Sequence, residues 1–241
     1  MSESIAKTID HAVLHPLQTD ADLRDACELC SDYGVASICV KPYMVMLAAE
    51  YLADSAVKIS TVISFPHGSC ETAVKAVEAR QACLDGAVEL DMVVNIGQVL
   101  EGSWTDVEAD IGAVVSIAAE HNAIVKVIFE TGLLTSNDQK IQLCQCSERA
   151  GAAFVKTSTG FGFVKDPTGG LRATGATFAD IQLMRQHCSD KVGVKASGGI
   201  RTLADARRFI ELGATRLGTS STKSLVDEEQ GLQQDGERAD Y

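Results

Sequence analysis

The chain lacks an excess of basic residues and lacks any long apolar run. Its 21 Lys and Arg residues face 33 Asp and Glu residues, which gives a formal net charge of −12 at pH 7. A chain with this charge has no basic surface for nucleic acid or an anionic membrane, so we expect neither as a partner. Apolar runs such as Ala113–Val115 are far too short to span a bilayer, and residues 1–8 lack the apolar segment of a signal peptide. These absences predict a cytoplasmic protein.

Motifs for metals and for nucleotides are also missing. The five histidines show no grouping typical of a metal site, so we expect no metal ion in the chemistry. No Gly-x-Gly-x-x-Gly follows the first predicted strand, and no Walker lysine loop is present. Both absences count against a nucleotide-binding open sheet.

The eight cysteines leave a disulfide or a metal site open at first. Cys27 and Cys30 have the Cys-x-x-Cys spacing, but residues i and i+3 also share one face of a helix. Cys144 and Cys146 lie in another helical segment and have no second ligand pair nearby. We therefore expect buried free thiols at these positions.

Apolar, β-rich runs alternate with helical segments along the whole chain. The 241 residues, of which 46% are hydrophobic, are enough for one sizeable core. Eight runs predict strands: Thr8–Leu14, Ser37–Val40, Lys58–Phe65, Val88–Val94, Ile124–Phe129, Phe154–Thr157, Val192–Ala196 and Thr215–Gly218. Alternating strands and helices indicate parallel βαβ units. Eight such units favour a single (β/α)8 TIM barrel of the α/β class, with a doubly wound open sheet as the alternative.

Capping patterns predict where the helices begin and end. Thr-x-x-Asp/Glu pairs begin at Thr19, Thr105, Thr135, Thr177 and Thr202. Glycines stand where the C-terminal caps of helices are expected: Gly34, Gly86, Gly151 and Gly213. We expect the barrel domain to span residues 1–226 and residues 227–241 to form a polar, mobile tail.

A weak internal repeat links the second, fourth, sixth and eighth predicted strands. The fifth residue after each cap glycine is Cys39, Asp91, Lys156 and Gly218. Because a layer inside such a barrel is built from alternate strands, we infer that these four residues share one layer near the C-terminal mouth. The alternative is that the repeat records only a shared loop geometry, which would leave the direction of these side chains undetermined.

Two strand-borne lysines are the candidates for chemistry. Lys156 ends an apolar run, where burial disfavours its charged form, and a neutral amine can attack a carbonyl to form a Schiff base. Lys195 on the next strand predicts like-charge repulsion, through which each lysine lowers the pKa of the other. Asp91 could balance the remaining ammonium and relay a proton. The alternatives are a strand-end lysine that reaches solvent and a simple buried ion pair.

Glycine- and serine-rich turns follow the last three predicted strands. Ser197–Gly199 follows the seventh strand, Gly218–Ser221 follows the eighth, and Thr159–Gly160 follows the sixth. The loops after the last two strands of such barrels often bind phosphate through free backbone N–H groups. Ordinary tight turns would have the same composition. The long segment 161–175 belongs at the same end of the barrel, as either a mobile lid or a neutral surface insertion.

Taken together, these motifs resemble the deoxyribose-phosphate aldolases, which are class I (Schiff-base) aldolases. The resemblance covers nearly the whole chain. It rests on Ile9–His11, Ser37–Val40, Val62–Gly68, Glu89–Gly97, Lys126–Thr131, Phe154–Phe161, Val194–Arg201 and Gly218–Ser221. It implies a TIM barrel that reversibly cleaves 2-deoxy-D-ribose 5-phosphate to acetaldehyde and D-glyceraldehyde 3-phosphate, in deoxyribonucleotide catabolism and without a cofactor.

The resemblance also assigns roles residue by residue. It makes Lys156 the Schiff-base lysine, Lys195 the lysine that perturbs it, and Asp91 the proton-relay carboxylate. The expected substrate-binding residues are Asp10, Cys39, Thr159, Gly160, Gly198, Gly199, Gly218, Ser220 and Ser221. The partners implied are a sugar phosphate and aldehydes, and the oligomeric state stays open, with a dimer or a tetramer among the choices.

Three departures from the family pattern stand out. Ala12 occupies a position where relatives usually have threonine, the loop after Lys156 is longer than in short relatives, and Tyr241 matches a tail tyrosine only by being last. Two other functions remain open. One is a different phosphate-binding barrel enzyme, either another Schiff-base aldolase or a sugar-phosphate isomerase. The other is a barrel that binds sugar phosphates without catalysis.

Overall fold

Eight parallel strands close into a barrel in the computed structural model, which describes residues 4–232. The barrel strands are β1 (Ile9–Val13), β2 (Ser37–Val40), β3 (Lys58–Ile63), β4 (Glu89–Val93), β5 (Ile124–Ile128), β6 (Phe154–Lys156), β9 (Gly193–Ser197) and β10 (Arg216–Thr219). Their order around the barrel is β1-β10-β9-β6-β5-β4-β3-β2, and β2 pairs with β1 to close it. The predicted TIM barrel is confirmed, and the open sheet is excluded.

Each predicted strand overlaps an observed one, and the largest boundary difference is at β3. The prediction ran to Phe65, but the strand ends at Ile63. Ser64 has a φ of 53°, which lies in the left-handed region and cannot continue a strand. The chain therefore turns out of the barrel at Ser64.

Helices follow the strands and cover the outside of the barrel. They are α1 (Asp20–Tyr33), α2 (Val45–Tyr51), α3 (Thr72–Leu84), α4 (Ile96–Glu101), α5 (Trp104–Glu120), α6 (Asn137–Arg149), α7 (Phe178–His187), α8 (Leu203–Glu211) and α9 (Thr222–Glu229). Their apolar faces and the outward faces of the strands make one core cluster. No helix within residues 4–232 has the length and apolar character that crossing a membrane needs.

Three of the five predicted helix starts are correct. Thr19, Thr177 and Thr202 are N-caps, and each hydroxyl accepts a hydrogen bond from the backbone N–H three residues on. The other two predictions are wrong by one or two residues. Ser136 caps α6, because its hydroxyl accepts a hydrogen bond from the Asp138 N–H. Ser103 is the N-cap position of α5, and only Gly102 separates it from the end of α4 at Glu101.

The predicted glycine positions all end helices. Gly34, Gly86, Gly151 and Gly213 have positive φ angles, a conformation that glycine adopts without steric cost. Each lets the chain reverse from a helix into the next barrel strand, which sets the repeat seen in the sequence.

The segment after β6 contains a β-hairpin rather than a plain loop. Strands β7 (Phe163–Lys165) and β8 (Leu171–Ala173) pair in antiparallel fashion outside the barrel. The two strands of this hairpin are largely exposed, whereas Gly162 and Thr174 at the base of the hairpin are buried. The hairpin is therefore fixed at its base and projects from the barrel.

The expected boundary of the tail is corrected by the last helix. We predicted a mobile tail from residue 227, but α9 continues to Glu229. Asp227 is buried and accepts a hydrogen bond from the Tyr33 hydroxyl at 2.6 Å, and Glu229 accepts one from the Ile5 N–H at 3.0 Å. These contacts hold the end of the helix against the start of the barrel. Tyr241 lies outside the described residues.

Candidate active site

The barrel interior carries charged side chains where apolar packing is usual. Seven of them lie on strands and are at least nine-tenths buried: Asp10, Glu89, Asp91, Lys126, Lys156, Lys195 and Arg216. Strand register brings them together, because paired residues on neighbouring strands point to the same face. Lys156 pairs with Lys195, Lys195 with Arg216, and Asp91 with Lys126. The cluster is thus a direct result of the register.

Asp91 is the centre of this cluster and is fully buried. One carboxylate oxygen accepts hydrogen bonds from Lys156 Nζ and Lys195 Nζ, both at 2.7 Å. The other accepts from Lys126 Nζ, also at 2.7 Å. Burial raises the pKa of Asp91, but the charges of the three lysines outweigh burial and hold that pKa well below its ordinary value. Asp91 is therefore ionised and bridges the candidate lysines.

The two predicted lysines differ in the direction of their pKa shifts. Burial lowers the pKa of Lys156, and the charge of Lys195 lowers it further, while Asp91 opposes both. Burial also lowers the pKa of Lys195, but the carboxylates of Asp10 and Asp91 outweigh burial and raise it above its ordinary value. The expected lowering by the neighbouring lysine is therefore seen in the pKa of Lys156, whereas the net shift of the Lys195 pKa is upward. Lys156 is the amine suited to act as a nucleophile.

A group of charges that the sequence reasoning missed surrounds these lysines. Lys126 Nζ lies 2.8 Å from Glu89 and 3.2 Å from Asp10. Arg216 lies 2.5 Å from Asp10 and 3.0 Å from Glu89. Glu89 stands two residues before Asp91, and Arg216 two before Gly218, so each shares a strand face with a predicted residue. A charge inside an apolar strand was the signal that could have identified them.

The charges of the seven buried side chains balance when Lys156 is neutral, leaving aside the exposed Lys58, which lies 3.7 Å from Glu89. The three carboxylates, on Asp10, Glu89 and Asp91, match the cations Lys126, Lys195 and Arg216. The carboxylates raise the pKa of both Lys126 and Arg216, against burial, so these two cations stay charged. Protonation of Lys156 would therefore give these seven buried side chains a net positive charge.

The predicted layer near the mouth also has the geometry expected of it. Asp91 and Lys156 are in contact, and both act on the pKa of the buried Cys39 thiol, which burial raises above its ordinary value. A Cβ on Gly218 would lie 2.8 Å from Ser197 Cβ and 3.2 Å from Lys195 Cε. A side chain at residue 218 would therefore press on Ser197 and crowd Lys195.

Asp10 is placed below the mouth rather than beside open space. It is fully buried, and it accepts hydrogen bonds from Lys195 Nζ at 2.5 Å and from Ser37 Oγ at 2.6 Å. Arg216 and Lys126 occupy its remaining acceptor positions. Its position suits a residue that holds Lys195, and its contact with substrate stays a prediction.

The candidate phosphate loops lie at the ends of three neighbouring strands, β6, β9 and β10. Gly160 and Gly199 have φ angles of 85° and 81°, and nothing stands within 4 Å of where their Cβ atoms would be. Ser220 is exposed, and Ser221 is the N-cap of α9, where backbone N–H groups favour an anion. These four residues could contact a phosphate group from one side of the mouth.

Two further predicted loop residues, Gly198 and Thr159, also have internal contacts. A Cβ on Gly198 would lie 2.9 Å from Gly175 Cα, so this glycine is required for packing. Thr159 donates both its backbone N–H and its hydroxyl to the carboxylate of Glu130. Both residues shape the loops from within.

Within residues 4–232, no three His, Cys, Asp or Glu side chains are grouped so that they could hold a metal ion. Cys27, Cys30, Cys144 and Cys146 are buried free thiols, as the helical spacing predicted.

Comparison with known proteins assigns this architecture to a family. Residues 4–227 match the model of the DeoC/LacD family aldolases. The chain belongs to the DeoC/LacD aldolase family. A DeoC/LacD relative, the deoxyribose-phosphate aldolase of Caldicellulosiruptor saccharolyticus, is 47% identical over 228 residues, which cover 94% of this chain and 99% of the relative.

Solved structures agree with the DeoC/LacD assignment. A protein of Coccidioides immitis, provisionally named deoxyribose-phosphate aldolase, has a TM-score of 0.87 and 38% identity, covering 95% of this chain and 87% of its own. The tetrameric deoxyribose phosphate aldolase of Aeropyrum pernix has a TM-score of 0.84 and 32% identity, covering 95% and 92%.

Proposed function

We propose that the chain reversibly cleaves 2-deoxy-D-ribose 5-phosphate to acetaldehyde and D-glyceraldehyde 3-phosphate through a Schiff base on Lys156. The observation that carries this proposal is that one Asp91 oxygen contacts both Lys156 and Lys195. The pKa of Lys156 is lowered, whereas that of Lys195 is raised. One amine is prepared to attack a carbonyl, and its neighbour is held as a charged proton donor. The activity named for the DeoC/LacD relatives supports this choice of reaction.

The reaction begins at the aldehyde carbon. Neutral Lys156 attacks C1, and loss of water gives an iminium that accepts the electrons of the C2–C3 bond. When the C3 hydroxyl gives up its proton, that bond breaks, glyceraldehyde 3-phosphate leaves, and an enamine remains. We assign the transfer of this proton to Asp91 and Lys195, through a water molecule, and their direct hydrogen bond supports this assignment. Protonation of C2 and hydrolysis of the new iminium then release acetaldehyde and free Lys156.

The phosphate group orients the substrate at the other end. The candidate phosphate contacts lie in the loops after the neighbouring strands β6, β9 and β10, and they are Gly160, Gly199, Ser220 and Ser221. Strands β6 and β9 also carry Lys156 and Lys195. Phosphate held there would align C3 with the Asp91–Lys195 pair, so that the reaction occurs within one bound complex. The overall negative charge of the chain makes such a local site necessary.

A covalent trap tests the reaction directly. The chain is incubated with deoxyribose 5-phosphate and borohydride, and the reduced adduct is mapped by peptide mass spectrometry. We expect one adduct on Lys156 and none in Lys156→Arg. Turnover without an adduct would refute the Schiff-base mechanism. Neither turnover nor adduct would favour another sugar phosphate or a binding role, and a panel of sugar phosphates separates those two.

We also propose that the chain forms a homo-oligomer, as its Aeropyrum pernix relative does. Helix α3 exposes an apolar stripe whose members, Val74, Val77 and Leu84, are 53%, 71% and 66% exposed. Tyr43 shares a groove with Val77 and widens this patch. A second copy of the chain is the partner that such a stripe fits. Light scattering should give a multiple of 25.5 kDa, and Val77→Glu should lower it; a monomeric unaltered chain would refute this.

A further inference from the structure

Glu130 follows β5 in a conformation that a glutamate rarely adopts. Its φ and ψ are 55° and 57°, in the left-handed region, and it is only 1% exposed. A residue other than glycine costs about 1 kcal/mol or more in this region, so it persists only where its surroundings hold it. The contacts of its carboxylate explain what holds it.

One carboxylate oxygen of Glu130 fixes the turn that follows the Schiff-base strand. It accepts a hydrogen bond from the Thr159 N–H at 3.1 Å and a second from the Thr159 hydroxyl. That hydroxyl in turn accepts from the Phe161 N–H at 2.9 Å. The turn from Lys156 to Phe161, which includes the open glycine Gly160, is therefore held from inside by one side chain.

The second oxygen of Glu130 faces the base of the hairpin. This buried oxygen, Oε1, has no hydrogen-bond partner among the described residues. A Cβ on Gly162 would lie 2.9 Å from it and 2.6 Å from Thr174 Oγ1. Gly162 and Thr174 are joined across the hairpin base by a backbone hydrogen bond of 2.8 Å. The carboxylate therefore fits its position only because residue 162 has no side chain.

The other side of the hairpin base rests on the loop after β9. The Ala176 N–H donates to the Gly198 carbonyl at 3.1 Å, and a Cβ on Gly175 would lie 2.4 Å from that same oxygen. The base thus connects the Glu130-held turn to the Gly198–Gly199 loop. These are two of the three segments that surround the candidate phosphate position.

We propose that Glu130 is a positioning residue that sets the preference for phosphorylated substrates by holding the 159–160 turn against the hairpin base. This inference rests on the proposed function, because it assumes that the turn contacts the substrate's phosphate. Glu130 itself is buried and acts on the substrate through that turn. Its loss should therefore weaken phosphate recognition and leave the chemistry at Lys156 unchanged.

The test compares two substrates and three variants. Glu130→Gly keeps the left-handed backbone and removes the carboxylate, Gly162→Ala displaces the carboxylate, and Glu130→Gln keeps an acceptor oxygen for Thr159. Since two hydrogen bonds are lost, we expect the first two variants to raise KM for deoxyribose 5-phosphate about 10-fold or more. Their kcat/KM for unphosphorylated 2-deoxyribose should stay within about twofold, and Glu130→Gln should retain most phosphate preference.

A matched control is available after β3, which β4 separates from β5 in the barrel. Glu78 accepts a hydrogen bond from the Ser64 N–H at 2.7 Å, and Ser64 also has a left-handed φ, but this pair lies after β3. Glu78→Ala should leave the ratio of the two substrates unchanged. Equal losses for both substrates in Glu130→Gly, or no loss for either, would overturn the proposal.

Failure of the proposed function would look different. The unaltered chain would then turn over neither substrate and form no adduct on Lys156. Calorimetric titration with inorganic phosphate would still test the role of Glu130, because binding does not depend on turnover. We expect phosphate to bind the Glu130→Gly variant about 10-fold more weakly than the unaltered chain, and equal affinity would refute the inference.

Discussion

The charge balance inside the barrel predicts that two substitutions move the activity of Lys156 in opposite directions along the pH axis. Lys126→Met removes one of the three cations that match the three carboxylates. The cluster then becomes negative unless Lys156 takes up a proton. Glu89→Gln removes a carboxylate and has the reverse effect. Because the neutral amine is the reactive form, the acid limb of kcat/KM should move to higher pH in Lys126→Met and to lower pH in Glu89→Gln.

The size of the shift follows from the contacts. Lys126 Nζ and Lys156 Nζ each lie 2.7 Å from an oxygen of the same Asp91 carboxylate. They are therefore roughly 6 Å apart, where two unit charges interact by about 2.8 kcal/mol at an effective dielectric constant of 20. This corresponds to a displacement of about two pH units. Glu89 contacts Lys126 and Arg216 but not Lys156, so its removal should shift the limb by about one pH unit.

The assay measures kcat/KM and the initial rate of borohydride trapping from pH 5 to 9, with thermal denaturation to verify folding. The double variant, which lacks both charges, serves as the control and should place the limb between those of the two single variants, about one pH unit above its original position. Shifts of the same sign in the two single variants would refute the charge-balance argument. An unmoved limb in Lys126→Met, with folding intact, would do so as well.

Three further predictions concern stability and local geometry. Gly218→Ala should lower kcat at least about 10-fold with KM little changed, because the added methyl group would lie 3.2 Å from Lys195 Cε and displace that side chain. A normal kcat would show that Lys195 can move aside. Burial lowers the pKa of His11 to about 4, so the neutral imidazole contributes folding stability that is present above about pH 6.5 and is lost as the pH falls through about 4. Between pH 7.5 and pH 4, the melting temperature should therefore fall less steeply in His11→Gln than in the unaltered chain. Parallel curves would contradict this. Replacing Lys165–Leu171 with a short turn should leave kinetics within about twofold, because the hairpin base is retained; a large loss would indicate a lid.

Most of the barrel and part of its site could be predicted from the sequence. Strand and helix alternation and the cap glycines gave all eight barrel strands, and the repeat related Asp91 and Lys156 before any contact was known. The sequence could not give the partners of Lys126 or Arg216, because a single charge in an apolar run has the same appearance whether it faces the barrel interior or ends the strand. Those partners depend on register, which links strands far apart in sequence.

Glu130 shows a second kind of limit. Glutamate is rare in the left-handed region, so no local pattern predicts its backbone conformation. Its role arises only when the loop after β5 meets the turn after β6 and the base of an inserted hairpin. The expected tail boundary failed for a similar reason, since a polar helix end was held by contacts with Tyr33 and Ile5.

The neutrality of the interior cluster has a consequence for the lifetime of each intermediate. The proposed cycle alternates between an uncharged nitrogen, in the free amine and the enamine, and a cationic nitrogen, in the two iminium forms. With Lys126, Lys195 and Arg216 already matching the three carboxylates, each iminium places one uncompensated positive charge in a buried space. Breaking the C2–C3 bond removes that charge from the first iminium, and hydrolysis removes it from the second. The same electrostatics that lower the pKa of Lys156 would thus favour every step that discharges the intermediate, and the cationic forms should be the least populated species in the steady state.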